Sequence, residues 1–213
     1  MINRILDLYG IDGNRQVDLL TSGLINSTWQ VSTGSDQYIL QRINDKVFTK
    51  PFEVAANIRM IDRYLSEHSP SYLFVSPVQS LSGDDIIFEE GGYYRVFPYI
   101  AGSHTIHTVA NPSQAFEAAL QFGKFTRLLA GFEARLLHIT IPDFHNLTLR
   151  YQQFETSLAN GQEERLKRSA QLISEIRRYA SIVDEFERIK RNATVKQRVT
   201  HHDTKISNVL FDS

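Results

Sequence analysis

Near its C-terminal end the sequence runs Val199-Thr200-His201-His202-Asp203-Thr204-Lys205-Ile206-Ser207-Asn208-Val209-Leu210-Phe211-Asp212-Ser213, with an Asp and an Asn five residues apart behind a His and ahead of an apolar run. Those residue types at that spacing suit phosphoryl transfer. A carboxylate can accept the proton of an attacking hydroxyl while a carboxamide, turned back toward it, holds Mg²⁺ on nucleotide phosphates. Asp203 is therefore the candidate catalytic base and Asn208 the candidate metal ligand. Lys205, two residues beyond the Asp, can set a cation beside the transferred phosphate. Asp and Asn are also common turn and cap residues, so three matching positions alone prove little. The flanks add weight, since Val199 and Val209-Leu210-Phe211 read as short strands pinning the loop at both ends.

Such a loop must be held by a folded body, and the composition permits one. The chain has 213 residues, 42% of them hydrophobic, enough for one large or two small domains. A net charge of −1 supplies no field for nucleic acid or an anionic membrane. With no cysteine there is no disulfide framework and no thiolate metal site. The opening residues 1–10 lack the continuous apolar core of a signal peptide, and no stretch approaches the about 20 apolar residues of a membrane span. A cytoplasmic location is expected.

The front half reads as a small sheet with one helix. Ile2, Ile5, Leu6 and Tyr9 have helical spacing, a short amphipathic lead-in. Residues 19–34 and 37–43 follow as β-branched and aromatic segments broken by turn residues. Between the first two strands lies Ser22-Gly23-Leu24-Ile25-Asn26-Ser27, a turn able to lay backbone N–H groups over phosphates or simply to close a hairpin. Pro51 starts a helix with Val54, Ile58, Ile61 and Leu65 along one stripe. Further apolar segments stand at 72–75, 86–88 and 93–97, with turns at 82–85 and 89–92. The expected architecture is α+β, a five-stranded antiparallel sheet with one helix.

The back half reads as helices. Phe97-Pro98-Tyr99-Ile100-Ala101-Gly102 marks a composition change and a hinge. Asn111-Pro112 with Gln114 is a helix start, and the helix to Leu129 is expected to be buried and central through Phe116, Ala119, Leu120, Phe122 and Phe125. After a loop at 139–146, two more helices are expected. The later one carries Leu172, Ile176, Tyr179, Val183 and Phe186, and its Arg and Lys runs make a solvated face.

This layout, with its terminal loop, resembles the two-lobe protein-kinase-like fold. Within it the sequence resembles the aminoglycoside phosphotransferase and choline kinase superfamily, and most closely its N-acetylhexosamine 1-kinase-like sugar kinases. The resemblance rests on residues 22–28, 38–44, 47–48, 141–146 and 200–205. It implies a nucleotide-binding lobe at 1–97 and a partial helical lobe at 98–213, with ATP and Mg²⁺ as cofactors and a small-molecule hydroxyl, a sugar above all, as acceptor. Gly23, Asn26 and Thr28 would belong to the phosphate-covering loop. Phe97 and Tyr99 would lie in the hinge that meets adenine, although packing alone would also explain Tyr99.

Several departures accompany the resemblance. At the strand position where such enzymes carry a phosphate-binding cation, the chain has Gln41, with Arg42 one residue later on the opposite face unless a bulge re-aims it. Either could contact phosphate. The helix partner is Glu53 or Asn57, one turn apart, and a neutral Gln41 facing a neutral Asn57 would be self-consistent. His202 stands where the family generally has Gly or Asn. The sequence given stops five residues after Asn208, before the strand with the second metal carboxylate, so a truncated chain is expected. Weak turnover, a catalytically dead nucleotide-binding module, or self-association through apolar surface near Phe116, Leu120 and Phe125 would follow. An aminoglycoside, choline or other amino alcohol is the alternative acceptor.

Overall fold

The computed structural model describes residues 1–21 and 25–212. Its first helix, α1 (Ile2–Leu8), is the amphipathic lead-in: Ile5 and Leu6 are fully buried and the Tyr9 hydroxyl donates to the Tyr94 carbonyl at 3.0 Å. Burial pushes that phenol far above its ordinary pKa, so it stays a donor. Strands β1 (Gln16–Leu20), β2 (Ser27–Ser32) and β3 (Gln37–Ile43) form an antiparallel meander. Helix α2 (Pro51–His68) follows, then β4 (Ile87–Glu89) and β5 (Gly92–Pro98). The five strands lie in the order β1-β2-β3-β5-β4, each antiparallel to its neighbour. The expected sheet and its helix are both present.

The two faces of the sheet have different jobs. One buries Val31, Leu40, Tyr94 and Val96 against α1. On the other, Ile43 packs with Ala55 of α2 and Ile86. Arg59 of α2 ties that helix to the approach to β4 through both Asp85 oxygens, the Asp62 carboxylate at 2.8 Å and the Pro77 carbonyl at 3.1 Å.

Residues 72–75, expected as a strand, are irregular. Tyr72 and Phe74 instead cover a second core made by Leu65, Phe125, Leu129 and Val199. Short β4 pairs only with Gly92 to Tyr94, and the β5 edge beyond it is met by a single bridge from Val78 to Val96.

After β5 come β6 (Ser103–Thr105) and α3 (Pro112–Leu128). The α3 cap is as expected: the Asn111 side chain accepts from the Gln114 amide at 3.1 Å and the Gln114 side chain accepts from the Ala110 amide at 2.8 Å. Its burial is not. Phe125 lies in the second core, but Phe116 is 63% exposed and Leu120 48% exposed. Val199 is a buried anchor rather than a strand, and β7 (Leu210–Asp212) pairs antiparallel with β6.

The contacts divide the chain into two compact units, 1–140 with 198–213, and 141–197, so that α3 and the loop at 200–208 fall in the same unit as the sheet. The second unit holds α4 (Leu147–Ala159), α5 (Glu163–Arg168), α6 (Ala170–Arg178) and α7 (Ile182–Arg191), four helices where two were expected. The stripe from Leu172 to Phe186 is split, because Tyr179, Ala180, Ile182 and Val183 donate three residues back and tighten the chain between α6 and α7. None of residues 141–197 is buried, and an exposed ion pair, Arg177–Glu155 at 2.8 Å, links α6 to α4. No helix among the described residues is long and apolar enough to cross a membrane.

Candidate active site

The loop at 200–208 is suspended between Val199, in the core under α2 and α3, and β7, paired to β6. Both ends are fixed by contacts distant in sequence, so the loop can remain exposed and still hold one shape. The His201 ring lies against Phe122, with centroids 5.1 Å apart, and its carbonyl accepts from the Asp203 amide at 2.8 Å. His202 has φ 59°, in the left-handed region that Gly and Asn enter most easily. A Gly or Asn would adopt that backbone with less strain than His202 does.

Asn208, at the end of a short 3₁₀ turn, folds back on Asp203. Its Nδ2 donates to the Asp203 carbonyl at 2.9 Å and to the Asp203 carboxylate at 2.8 Å. The five-residue spacing thus brings the candidate base and the candidate metal ligand into contact. Lys205 Nζ stands 3.7 Å from the same carboxylate, a loose pair in solvent. Beside the loop is a hollow of about 480 Å³ whose lining includes Phe74, Phe125, His201 and Asn208.

On the sheet, the register settles the alternatives at Gln41 and Arg42. Pairing of Tyr38–Ile43 with Pro98–Tyr93 is continuous, without a bulge. Arg42 is therefore exposed on the far face, its Nε 2.7 Å from where a Cβ on Gly92 would stand and its guanidinium carbon 6.0 Å from the Tyr94 ring centroid. Gln41 faces the α2 side. Its Oε1 accepts from Arg95 Nε at 3.1 Å and Nη2 at 3.0 Å, and its Nε2 donates to Thr28 Oγ1 at 3.4 Å.

Gln41 pairs with neither of the two candidates on α2. Asn57 exchanges two hydrogen bonds with the backbone of His138, 2.9 and 2.8 Å, while Glu53 pairs with Lys50 at 3.1 Å. Neither helix residue is Gln41's partner, because Arg95 occupies that role. Sequence reasoning missed Arg95, although a charge in the middle of an apolar strand was the available sign.

Gly23 lies outside the described residues. Asn26 Oδ1 accepts from the Asn44 amide at 3.0 Å, joining the start of β2 to the end of β3. Phe97 carries the Arg95 guanidinium over its ring at 4.9 Å. The Tyr99 amide donates to the Gln37 carbonyl at 3.1 Å, so this N–H is already engaged by the sheet.

The sequence profile of the phosphotransferase enzyme family matches residues 16–213. The chain belongs to that family. Among solved structures it is similar to a spectinomycin phosphotransferase in complex with ADP and spectinomycin, at 15% identity over all of this chain, TM-score 0.56. It is also similar to a microcompartment-associated aminopropanol kinase, at 18% identity over all of this chain, TM-score 0.59. It spans 64% of the length of each of those two chains. At these identities the likeness establishes the kinase-like fold.

Proposed function

We propose that this family member transfers the γ-phosphoryl group of ATP to a hydroxyl of a small molecule. The observation that carries the reading is the double hydrogen bond from Asn208 to Asp203, which fixes a base and a carboxamide on one exposed loop. The acceptor oxygen forms its bond to the γ-phosphorus as the bond to the ADP oxygen breaks, and its proton passes to Asp203. Lys205 supplies positive charge beside the transferred group. The donors available for Mg²⁺ are hard oxygens, which suit that ion: Asn208 commits its nitrogen to Asp203 and keeps its carbonyl oxygen for a ligand. When bound, Mg²⁺ supplies charge neutralisation on the phosphates.

In this reading residues 1–97 serve as the nucleotide lobe and 98–213 as the part of the helical lobe that ends at the loop. Thr28, Gln41 and the Phe97–Tyr99 hinge lie toward the nucleotide, and we take the reaction to be cytoplasmic. The acceptor we favour is a sugar of the N-acetylhexosamine class at its anomeric hydroxyl, on the resemblance in residues 38–44 and 141–146. A second reading, an amino alcohol or aminoglycoside, draws on the aminopropanol and spectinomycin enzymes whose folds match.

Incubation of the chain with MgATP and N-acetylhexosamines, aminopropanol or spectinomycin, followed by ³¹P NMR, tests this. A sugar 1-phosphate supports the first reading and a phosphorylated amino alcohol or antibiotic the second. MgATP binding without transfer to any acceptor would mark a nucleotide-binding module. Absence of nucleotide binding would refute the proposal.

A further inference from the structure

The sheet register places Thr28 opposite Gln41 and Gln41 opposite Arg95, so the three side chains form one row across β2, β3 and β5. Their hydrogen bonds run along the row, Arg95 to Gln41 and Gln41 to Thr28. Because an arginine can only donate, the Gln41 oxygen must face Arg95 and its nitrogen Thr28.

Every partner of the Arg95 guanidinium in this row is neutral, an amide oxygen and the Phe97 ring. The other arginines that are not exposed have carboxylates: Arg15 pairs with Asp7, and Arg59 with Asp62 and Asp85. Among the described residues, Arg95 alone is a half-buried arginine without one. A guanidinium drawn out of water recovers only part of its lost hydration from an amide and a ring. Burial accordingly pulls the Arg95 pKa down to about 10, whereas the hydrogen bond to Asp85 raises that of Arg59. At neutral pH the charge persists on this face of the sheet, held in one orientation and lacking a counter-charge. Two of its N–H groups hold Gln41, and the rest of the planar fork suits the oxygens of a phosphate.

We propose that Arg95, reaching across from β5, is the cation that meets the nucleotide phosphates, with Gln41 as the positioning residue that aims it. The proposal rests on the phosphotransfer reading above and assigns within it a role that neither Gln41 nor Arg42 can fill. Gln41 carries no charge, and Arg42 points away from this face.

Calorimetric titration of the full chain and its variants with ATP, ADP and adenosine tests the assignment. Arg95→Met should weaken ATP and ADP about ten- to a hundredfold, the range for losing a charged hydrogen-bond partner, and leave adenosine unchanged. Arg95→Lys should fall between, keeping charge without the fork. If Arg95→Met fails to fold by circular dichroism, Gln41→Met, which frees the guanidinium, should lower the ATP-over-adenosine preference severalfold. Arg95→Met with the wild-type preference, or with equal losses for ATP and adenosine, overturns the proposal. So does an unchanged preference in Gln41→Met. A wild-type chain that binds adenosine and ATP equally overturns only the role of Arg95, whereas one that binds neither overturns the phosphotransfer reading and this proposal with it.

Discussion

Replacing Asn208 with alanine removes the two hydrogen bonds that close the loop on Asp203, one to a carbonyl at 2.9 Å and one to a carboxylate at 2.8 Å. A neutral hydrogen bond contributes about 0.5 to 1.5 kcal/mol and one to a charged group about 1.5 to 3 kcal/mol. Both groups stand in water, where competition and screening roughly halve such values, leaving about 1 to 2 kcal/mol of loop order. That corresponds to a roughly 5- to 30-fold rise in local opening. Three amides report on it: Asp203 bonded to the His201 carbonyl at 2.8 Å, Asn208 to Lys205 at 3.0 Å, and Val209 to Ile206 at 3.0 Å. Amide hydrogen exchange followed by NMR should show the Asp203 and Val209 amides of the variant accelerated by that factor. The Val78 amide, bonded to the Val96 carbonyl at 2.8 Å in the sheet, should keep its rate. Wild-type exchange at 203 and 209 would show that the carboxamide does not hold the loop. Equal acceleration at Val78 would show that the variant acts on global stability instead.

Asp203→Ala should abolish turnover while nucleotide affinity stays largely intact, and an unchanged kcat would remove the base assignment. Arg59→Ala strands the Asp62 and Asp85 carboxylates, whose side chains are 19% and 14% exposed, and should cost about 2 to 4 kcal/mol in urea denaturation; a loss under about 1 kcal/mol would contradict the strut. His202→Gly should leave stability nearly unchanged, whereas His202→Val, β-branched at a positive φ, should lose about 1 to 2 kcal/mol in the same assay. Arg95, held to about 10, gives up its proton in the folded protein before it does in the unfolded chain. Across the window between those values the unfolded chain binds more protons, so this group adds stability as pH rises. The ATP-over-adenosine preference should meanwhile hold to about pH 9 and fall as pH passes through 10, and a preference lost well below that would contradict the assignment to Arg95.

Much of the scaffold was legible in the sequence because its signs are local. The Ile2 to Tyr9 stripe, the Pro51 helix start and the Asn111–Gln114 cap each depend on residues within a few turns of one another, and each is found as read. The Asp203–Asn208 spacing is local in the same sense, since the loop folds on itself. What depends on partners far along the chain could not be read. Strand alternation put Arg42 on the far face, but only the register of β3 against β5 sets Arg95 opposite Gln41, 54 residues away. Asn57 meets His138 across 81 residues, and β7 finds β6 in Ser103-His104-Thr105, a segment with no strand signature of its own. The exposure of Phe116 and Leu120 on a helix apolar around most of its surface was likewise decided by packing. Periodicity states which residues share a face, and only the assembled neighbours determine what that face meets.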